Sequence, residues 1–224
     1  MSTLTLVQNP ETGEVTIGVE EGGLLAIESL ILARYYMFQQ VYFHKVRRYL
    51  DLQYAELMRE LVKDHPIAPP TEVAALDVYL QRDDWTIQAQ ILERAREDFV
   101  PAQCIADRRC AKVVYEVVNP QHVNRLQAAA RILEEKEIPF VLDGKEGKGA
   151  DTYVQKFKTS NIQISGETSF EGLRPITACS QVAVNIPDTI FIGRLYVSSE
   201  DRERIRQEAW LTSLRSMEGG GDNA

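Results

Sequence analysis

Residues Leu24–Lys45 read LLAIESLILARYYMFQQVYFHK, and from Leu24 no proline or glycine occurs until after His65. Leu, Ala, Glu, Arg, Met and Gln dominate this span, all strong helix formers, so it predicts helix. A single helix of about 40 residues would run roughly 60 Å, so an interruption is expected within it. Apolar residues recur at helical spacing: Leu30, Met37, Phe38 and Val41, then Leu50, Tyr54, Leu57, Met58 and Leu61. Arg34, Phe38 and Tyr42 stand at i, i+4 and i+8, and Lys45 returns to nearly the azimuth of Arg34 about three turns later. A guanidinium fork, a phenol and an ammonium on one stripe suit a polyphosphate. The same spacing also fits long cationic stems reaching to solvent from an amphipathic core helix, with Tyr42 half-buried beside them. The pattern alone leaves both readings open.

Before this helix, Leu4–Val7 and Val15–Val19 read as strands around the turn formers Gln8-Asn9-Pro10-Glu11-Thr12-Gly13, which predicts a β-hairpin. After it, His65-Pro66-Ile67-Ala68-Pro69-Pro70 ends the helical run. Thr71–Leu80 predicts a short helix capped by Thr71, and Trp85–Phe99 another. The acidic pair Asp83-Asp84 ahead of Trp85 reads as an N-cap with a favourable charge at the helix start rather than a metal or acid–base pair. Pro101 opens a further helix to about Ala111.

The character changes near Lys112. Val113–Val118 predicts a strand, Gln121–Lys136 a helix, and Pro139–Leu142 a short strand. Asp143-Gly144-Lys145-Glu146-Gly147-Lys148-Gly149 reads as a solvated loop, since it lacks phosphate-loop spacing. Asn161–Ser165, Gln181–Ile186 and Thr189–Val197 predict strands, and Ser198 or Ser199 caps a final helix. The expected class is α+β. A hairpin and mainly helical region occupies 1–111, a mixed α/β region 112–216, and a disordered tail 217–224.

The chain has 224 residues and is 44% hydrophobic, enough for a sizeable core. Its net charge of −8 argues against nucleic acid as a partner. Cys104, Cys110 and Cys179 are odd in number and form no CxxC pair, which fits free thiols in a reducing cytoplasm. No signal peptide is evident, and no apolar run approaches the roughly 18 residues of a membrane span. Ser165 lacks the flanking glycines of a nucleophile elbow, and no spacing ties a Cys to a His.

The pattern Ala33-Arg34-x-x-Met37-x-x-x-Val41-Tyr42-x-His44-Lys45 resembles the second half of the HD-domain phosphohydrolases, and among them the dNTP triphosphohydrolases. Val15–Gly23 resembles the strand and turn that lead into that helix, Leu80–Ile87 the family's acidic helix start, and Ile105–Lys112 its Arg-x-x-x-Lys segment. The likeness covers about Val15 to Val118. It implies that Arg34 grips the substrate's phosphates and Tyr42 lies against the substrate. It also implies that His44, Lys45, Arg108 and Lys112 help hold a regulatory nucleotide between subunits. Phe38 stands where some members carry a polar residue.

The family binds a divalent metal through a His, a His-Asp dyad and a distant Asp, upstream of the matched strand, and so activates water for attack on the alpha phosphate. Here the histidines are His44, His65 and His122, none followed by Asp, and only Met1–Glu14 precedes the strand. No catalytic residue and no metal ligand is therefore expected in this chain. The divalent metal would belong to the complete enzyme. The expected function is the C-terminal portion of an HD-type triphosphohydrolase that converts a dNTP to deoxynucleoside and tripolyphosphate. The chain would be a fragment, a truncated product or half of a split enzyme, inactive without an HD-containing half or a homo-oligomer. The alternative is a non-catalytic nucleotide-binding or oligomerisation module. The blandest reading is a structural domain.

Overall fold

The structure is a computed structural model that describes residues 3–8, 13–63, 73–144, 155–156, 162–166, 172–187, 189–206, 208 and 210. The expectations placed on Thr71, on His65 and the prolines after it, on 145–149 and on the tail 217–224 lie outside the described residues. The chain forms two compact units, residues 1–43 with 151–192 and residues 44–150 with 193–224. These units cut across the expected boundary at 111, because each sheet pairs strands that are remote in sequence.

In the first unit, β1 (Leu4–Gln8) and β2 (Val15–Glu20) make the expected antiparallel hairpin, with Leu6 opposite Ile17. β2 then pairs in parallel with β6 (Gln163–Ser165), Val19 opposite Ile164, and β6 pairs with β7 (Arg174–Pro175). β5 (Gln155–Lys156) and β8 (Thr189–Ile190) form a separate pair. α1 (Leu24–Met37) buries Ile31 and packs the half-buried Leu24, Ile27 and Tyr35 onto a core that includes Val19, Ile164, Ile176 and Ile190. Leu30, Met37 and Val41, expected on the apolar face, are 62%, 47% and 45% exposed. α1 is apolar on all sides, so its sequence carries no strong preference for one face. The outer face of the hairpin is also apolar and open, with Leu4, Leu6, Val15 and Ile17 all exposed.

The expected break in the long helix is a π turn at Phe38–Tyr42. Phe43 N–H donates to Phe38 C=O at 2.8 Å, five residues back instead of four. The wider turn carries the buried Phe43 round to the side of Phe38, 6.0 Å between ring centroids.

One predicted strand is a helix. Ile176–Cys179 (α7) leads into Gln181–Asn185 (α8), where a strand was expected over Gln181–Ile186. The buried Ser180 caps it, accepting from Ala183 N–H at 3.0 Å, and Ala183 and Ile186 are buried at helical spacing. The strand expected over Thr189–Val197 is two strands, split at Phe191–Ile192 between the two units.

In the second unit, α2 (Lys45–Lys63) packs with α4 (Asp84–Arg96) and α5 (Val100–Ala106) through Leu57, Ile91 and Ala102. α3 (Val73–Leu80) precedes them. Asp83 caps α4, accepting from Thr86 N–H at 2.8 Å, and Pro101 sits in the first turn of α5. β3 (Lys112–Val117), β9 (Gly193–Val197) and β4 (Phe140–Asp143) form an antiparallel sheet with β9 in the centre. α6 (Val123–Glu135) packs on all three strands, burying Leu126, Ala129 and Leu133. α9 (Ser199–Ile205) is capped by Ser198, which accepts from Asp201 N–H at 2.9 Å. Asp143, expected in a solvated loop, ends β4 and is 3% exposed, because it is the ion-pair partner of the buried Arg48. No helix among the described residues is long and apolar enough to cross a membrane.

Candidate functional site

A cleft of about 670 Å³ opens in the second unit where α5, β3, β4 and β9 meet α2. That volume is within the range of sites for a nucleotide-sized molecule. Its floor is apolar and aromatic: Tyr49, Tyr196, Phe140, Val141 and Ala111. The rings of Tyr49 and Tyr196 lie 5.4 Å apart, inclined at 45°. Tyr196 is 1% exposed, and its hydroxyl donates to the Lys45 carbonyl at 3.0 Å. Burial pushes its phenol up to about 12. Burial also raises the Tyr49 phenol, reinforced by the contact of its hydroxyl with Cys104 Sγ at 3.5 Å. Both rings are therefore neutral at physiological pH, and the floor carries no charge.

The rim supplies the charge. α5 ends at Ala106, and Asp107 N–H closes its last turn onto Gln103 C=O at 2.9 Å. Arg108 then turns left-handed, φ 54°, and the chain passes Arg109 before β3 opens at Lys112. Arg108, Arg109 and Lys112 all line the cleft. Arg109 Nε is 3.2 Å from Asp107 Oδ2. Among the described residues neither Arg108 nor Lys112 enters an ion pair, so both charges remain available to a ligand. Across the cleft, the Asp201 carboxylate is held by the Ser198 hydroxyl at 2.7 Å and by Arg204 at 3.0 Å. An uncharged, mainly apolar cleft rimmed by three cations suits a nucleotide-sized anion.

Arg34 and Tyr42 belong to the first unit, both exposed at the end of α1 and in the π turn. The Arg34 guanidinium carbon lies 5.8 Å from the centroid of the Phe38 ring, and Phe38 packs on Tyr42 at 4.9 Å between centroids. The i, i+4, i+8 stripe is thus a physical stack with Phe38 in the middle. His44 and Lys45 open the second unit and are exposed, and neither side chain lines the cleft. Of the four residues expected around a second nucleotide, the structure brings Arg108 and Lys112 to one rim and leaves the other two outside it.

Sequence reasoning missed Arg109, Tyr49, Phe140 and Tyr196. Arg109 had a signal, as one half of a doubled arginine beside a matched motif. The aromatic floor had none, since its members come from three separate elements. Among the described residues no three His, Cys, Asp or Glu side chains converge in a way that could hold a metal ion.

Among solved structures, a hypothetical protein from Aquifex aeolicus matches with a TM-score of 0.65 at 25% identity, over 91% of this chain and 48% of that one. A phosphohydrolase from Bacteroides thetaiotaomicron matches with a TM-score of 0.49 at 15% identity, over 86% of this chain and 53% of that one. This chain therefore spans about half the length of the solved chains it matches. No curated protein matches the sequence. A family model described as the HD associated region matches residues 3–135, from β1 through α6. That span holds Arg34, Tyr42, His44, Lys45, Arg108 and Lys112 and exceeds half of the sequence, and the chain belongs to the HD associated region family.

Proposed function

We propose that this chain is the C-terminal portion of an HD-type deoxynucleoside triphosphate triphosphohydrolase, which converts a dNTP to deoxynucleoside and tripolyphosphate, and that it is inactive alone. Arg34 would present its fork to substrate phosphates, with Phe38 and Tyr42 stacked behind it. Arg108, Lys112 and the neighbouring Arg109 would hold the phosphates of a regulatory nucleotide whose base lies in the apolar cleft. His44 and Lys45 belong to the same regulatory element. The observation that carries the reading is the cleft itself, where Arg108 and Lys112 share one rim above Tyr49 and Tyr196. Family membership supports it. The open apolar face of the hairpin supports a partner, either an HD-containing half or a second copy. The divalent metal of the complete enzyme has no donor set among the described residues, and no step through it is assigned to them. The cytoplasm is the proposed location.

The test is hydrolysis of a dNTP mixture by the purified chain with Mg²⁺, together with calorimetric dNTP binding. No product is expected, with saturable binding that Arg108→Ala and Lys112→Ala each weaken by about tenfold or more. Absence of nucleotide binding overturns the reading. Product that disappears with Arg34→Ala overturns the claim of inactivity alone.

A second reading, a non-catalytic nucleotide-binding module, is favoured by one observation. The cleft is built wholly from one unit of this chain. Hydrolysis restored by an added HD-containing half selects the enzyme, and nucleotide binding without restoration selects the module.

A further inference from the structure

We infer that Cys104 and Cys110 are a peroxide-sensitive thiol pair, which oxidation joins in a disulfide that restrains the cationic rim of the cleft. Cys104 lies in the last turn of α5, is 7% exposed, and sets its sulfur 3.5 Å from the Tyr49 hydroxyl. Beyond α5 the chain reverses at the left-handed Arg108, and Cys110 N–H closes onto Arg108 C=O at 3.1 Å. Such a reversal folds the residues after a helix back over its last turn. Cys110 accordingly packs on the cluster that holds Tyr49, Cys104 and Tyr196. Burial raises the Tyr49 phenol, and the nearness of both Cys104 and Cys110 raises it further, so the two thiols adjoin one hydroxyl. Both are free, while the remaining thiol, Cys179, packs on the core of the first unit.

The two thiols differ in access. Cys110 is half-buried and lines the cleft, so a small oxidant reaches it from solvent. Cys104 is buried, shielded from the oxidant and placed to act second. The Cys110 thiolate attacks hydrogen peroxide: an S–O bond forms, the O–O bond breaks, and hydroxide leaves to become water. The Cys104 thiolate then attacks the sulfur of that sulfenic acid: the S–S bond forms, the S–O bond breaks, and a second water leaves. Two thiols and one peroxide thus become one disulfide and two waters. The bond closes the loop from Cys104 to Cys110, which carries Arg108 and Arg109. In a reducing cytoplasm such bonds are transient and serve as sensors. The disulfide itself requires no nucleotide; its effect on binding rests on the proposed cleft.

The experiment treats the reduced full chain with hydrogen peroxide, in buffer and in urea, blocks the remaining thiols and maps the peptides by mass spectrometry. In buffer, two of the three thiols should be lost together as a Cys104–Cys110 crosslink that dithiothreitol reverses. The folded chain should form it about tenfold or more faster than the chain in urea, because the fold holds the pair together. Cys104→Ser should abolish the crosslink and drive Cys110 on to sulfinic acid. Crosslinking should also weaken calorimetric dGTP binding by about tenfold, restored by dithiothreitol, because a held loop cannot turn its arginines to the ligand. Equal rates in buffer and urea overturn the inference, as do pairing with Cys179, linkage between chains, or a parent whose Cys110 becomes sulfinic acid unpaired. Those parent measurements stand even if Cys104→Ser does not fold. An unchanged dGTP affinity overturns the restraint on the rim. Absence of dGTP binding by the reduced chain fails the cleft reading instead, a result distinct from failure of the crosslink.

Discussion

Arg48 and Asp143, 95 residues apart, meet in a two-point ion pair: Arg48 Nε donates to Oδ2 at 3.0 Å and Nη2 to Oδ1 at 2.6 Å. Both side chains are almost wholly shielded from water, at 3% and 4% exposed. Breaking such a pair from one side leaves a buried charge uncompensated. Arg48→Ala should therefore cost about 3–5 kcal/mol. The double variant Arg48→Met, Asp143→Leu should recover most of that loss. Urea denaturation of the three proteins checks both expectations.

The buried Tyr196 phenol makes stability fall at alkaline pH. Its folded value of about 12 lies above the ordinary 10.0, so below pH 10 the group is neutral in both states and its contribution is whole. As the pH rises past 10, the unfolded chain releases the proton first. The contribution shrinks and is gone once the pH has passed about 12. The raised Tyr49 phenol acts in the same direction. Tyr196→Phe should flatten part of this alkaline loss, read from unfolding midpoints across that window.

Among the described residues, three that are not glycine are left-handed: Asp98 at φ 62°, Arg108 at φ 54° and Glu137 at φ 55°. Each lies one residue past the C-cap of a helix, at Glu97, Asp107 and Lys136. Glycine is the usual occupant there, because a Cβ costs about 1 kcal/mol in that conformation. Glu137→Gly should stabilise the protein by about 1 kcal/mol and leave dNTP affinity unchanged. Arg108→Gly should stabilise by a similar amount while weakening dNTP binding. Thermal unfolding and calorimetry on the two variants separate strain from function.

Gly144 follows Asp143 at φ 114°, and a Cβ there would meet Gly193 Cα at 3.2 Å. Both the conformation and the close approach of two backbones require glycine. Gly144→Ala should cost about 1–3 kcal/mol, seen as a lowered thermal midpoint.

The sequence made local punctuation legible. The hairpin, the caps Asp83 and Ser198, and Pro101 opening α5 depend on neighbours within a few residues, and the structure reproduces each of them. The helix ends at Asp98, Arg108 and Glu137 were obscured because no glycine marks them. Val182 and Val184 alternate like a strand, but Val184 is exposed, and the cap at Ser180 with buried Ala183 decides for helix. Arg108 and Lys112 were readable as a candidate pair because the segment Ile105–Lys112 that holds them resembles a motif of a known family. Tyr196 was not, since its partner carbonyl is 151 residues away.

The π turn at Phe38–Tyr42 fixes a phase as well as a break. Along an unbroken α-helix five residues advance about 500°, which would turn Phe43 about 140° away from Phe38. Closing the turn five residues back brings the two rings to one side and lets Phe43 fill the core of its unit. A peptide that copies Leu24–Phe43 as a straight helix would carry every one of these residues and still aim its last aromatic ring the wrong way.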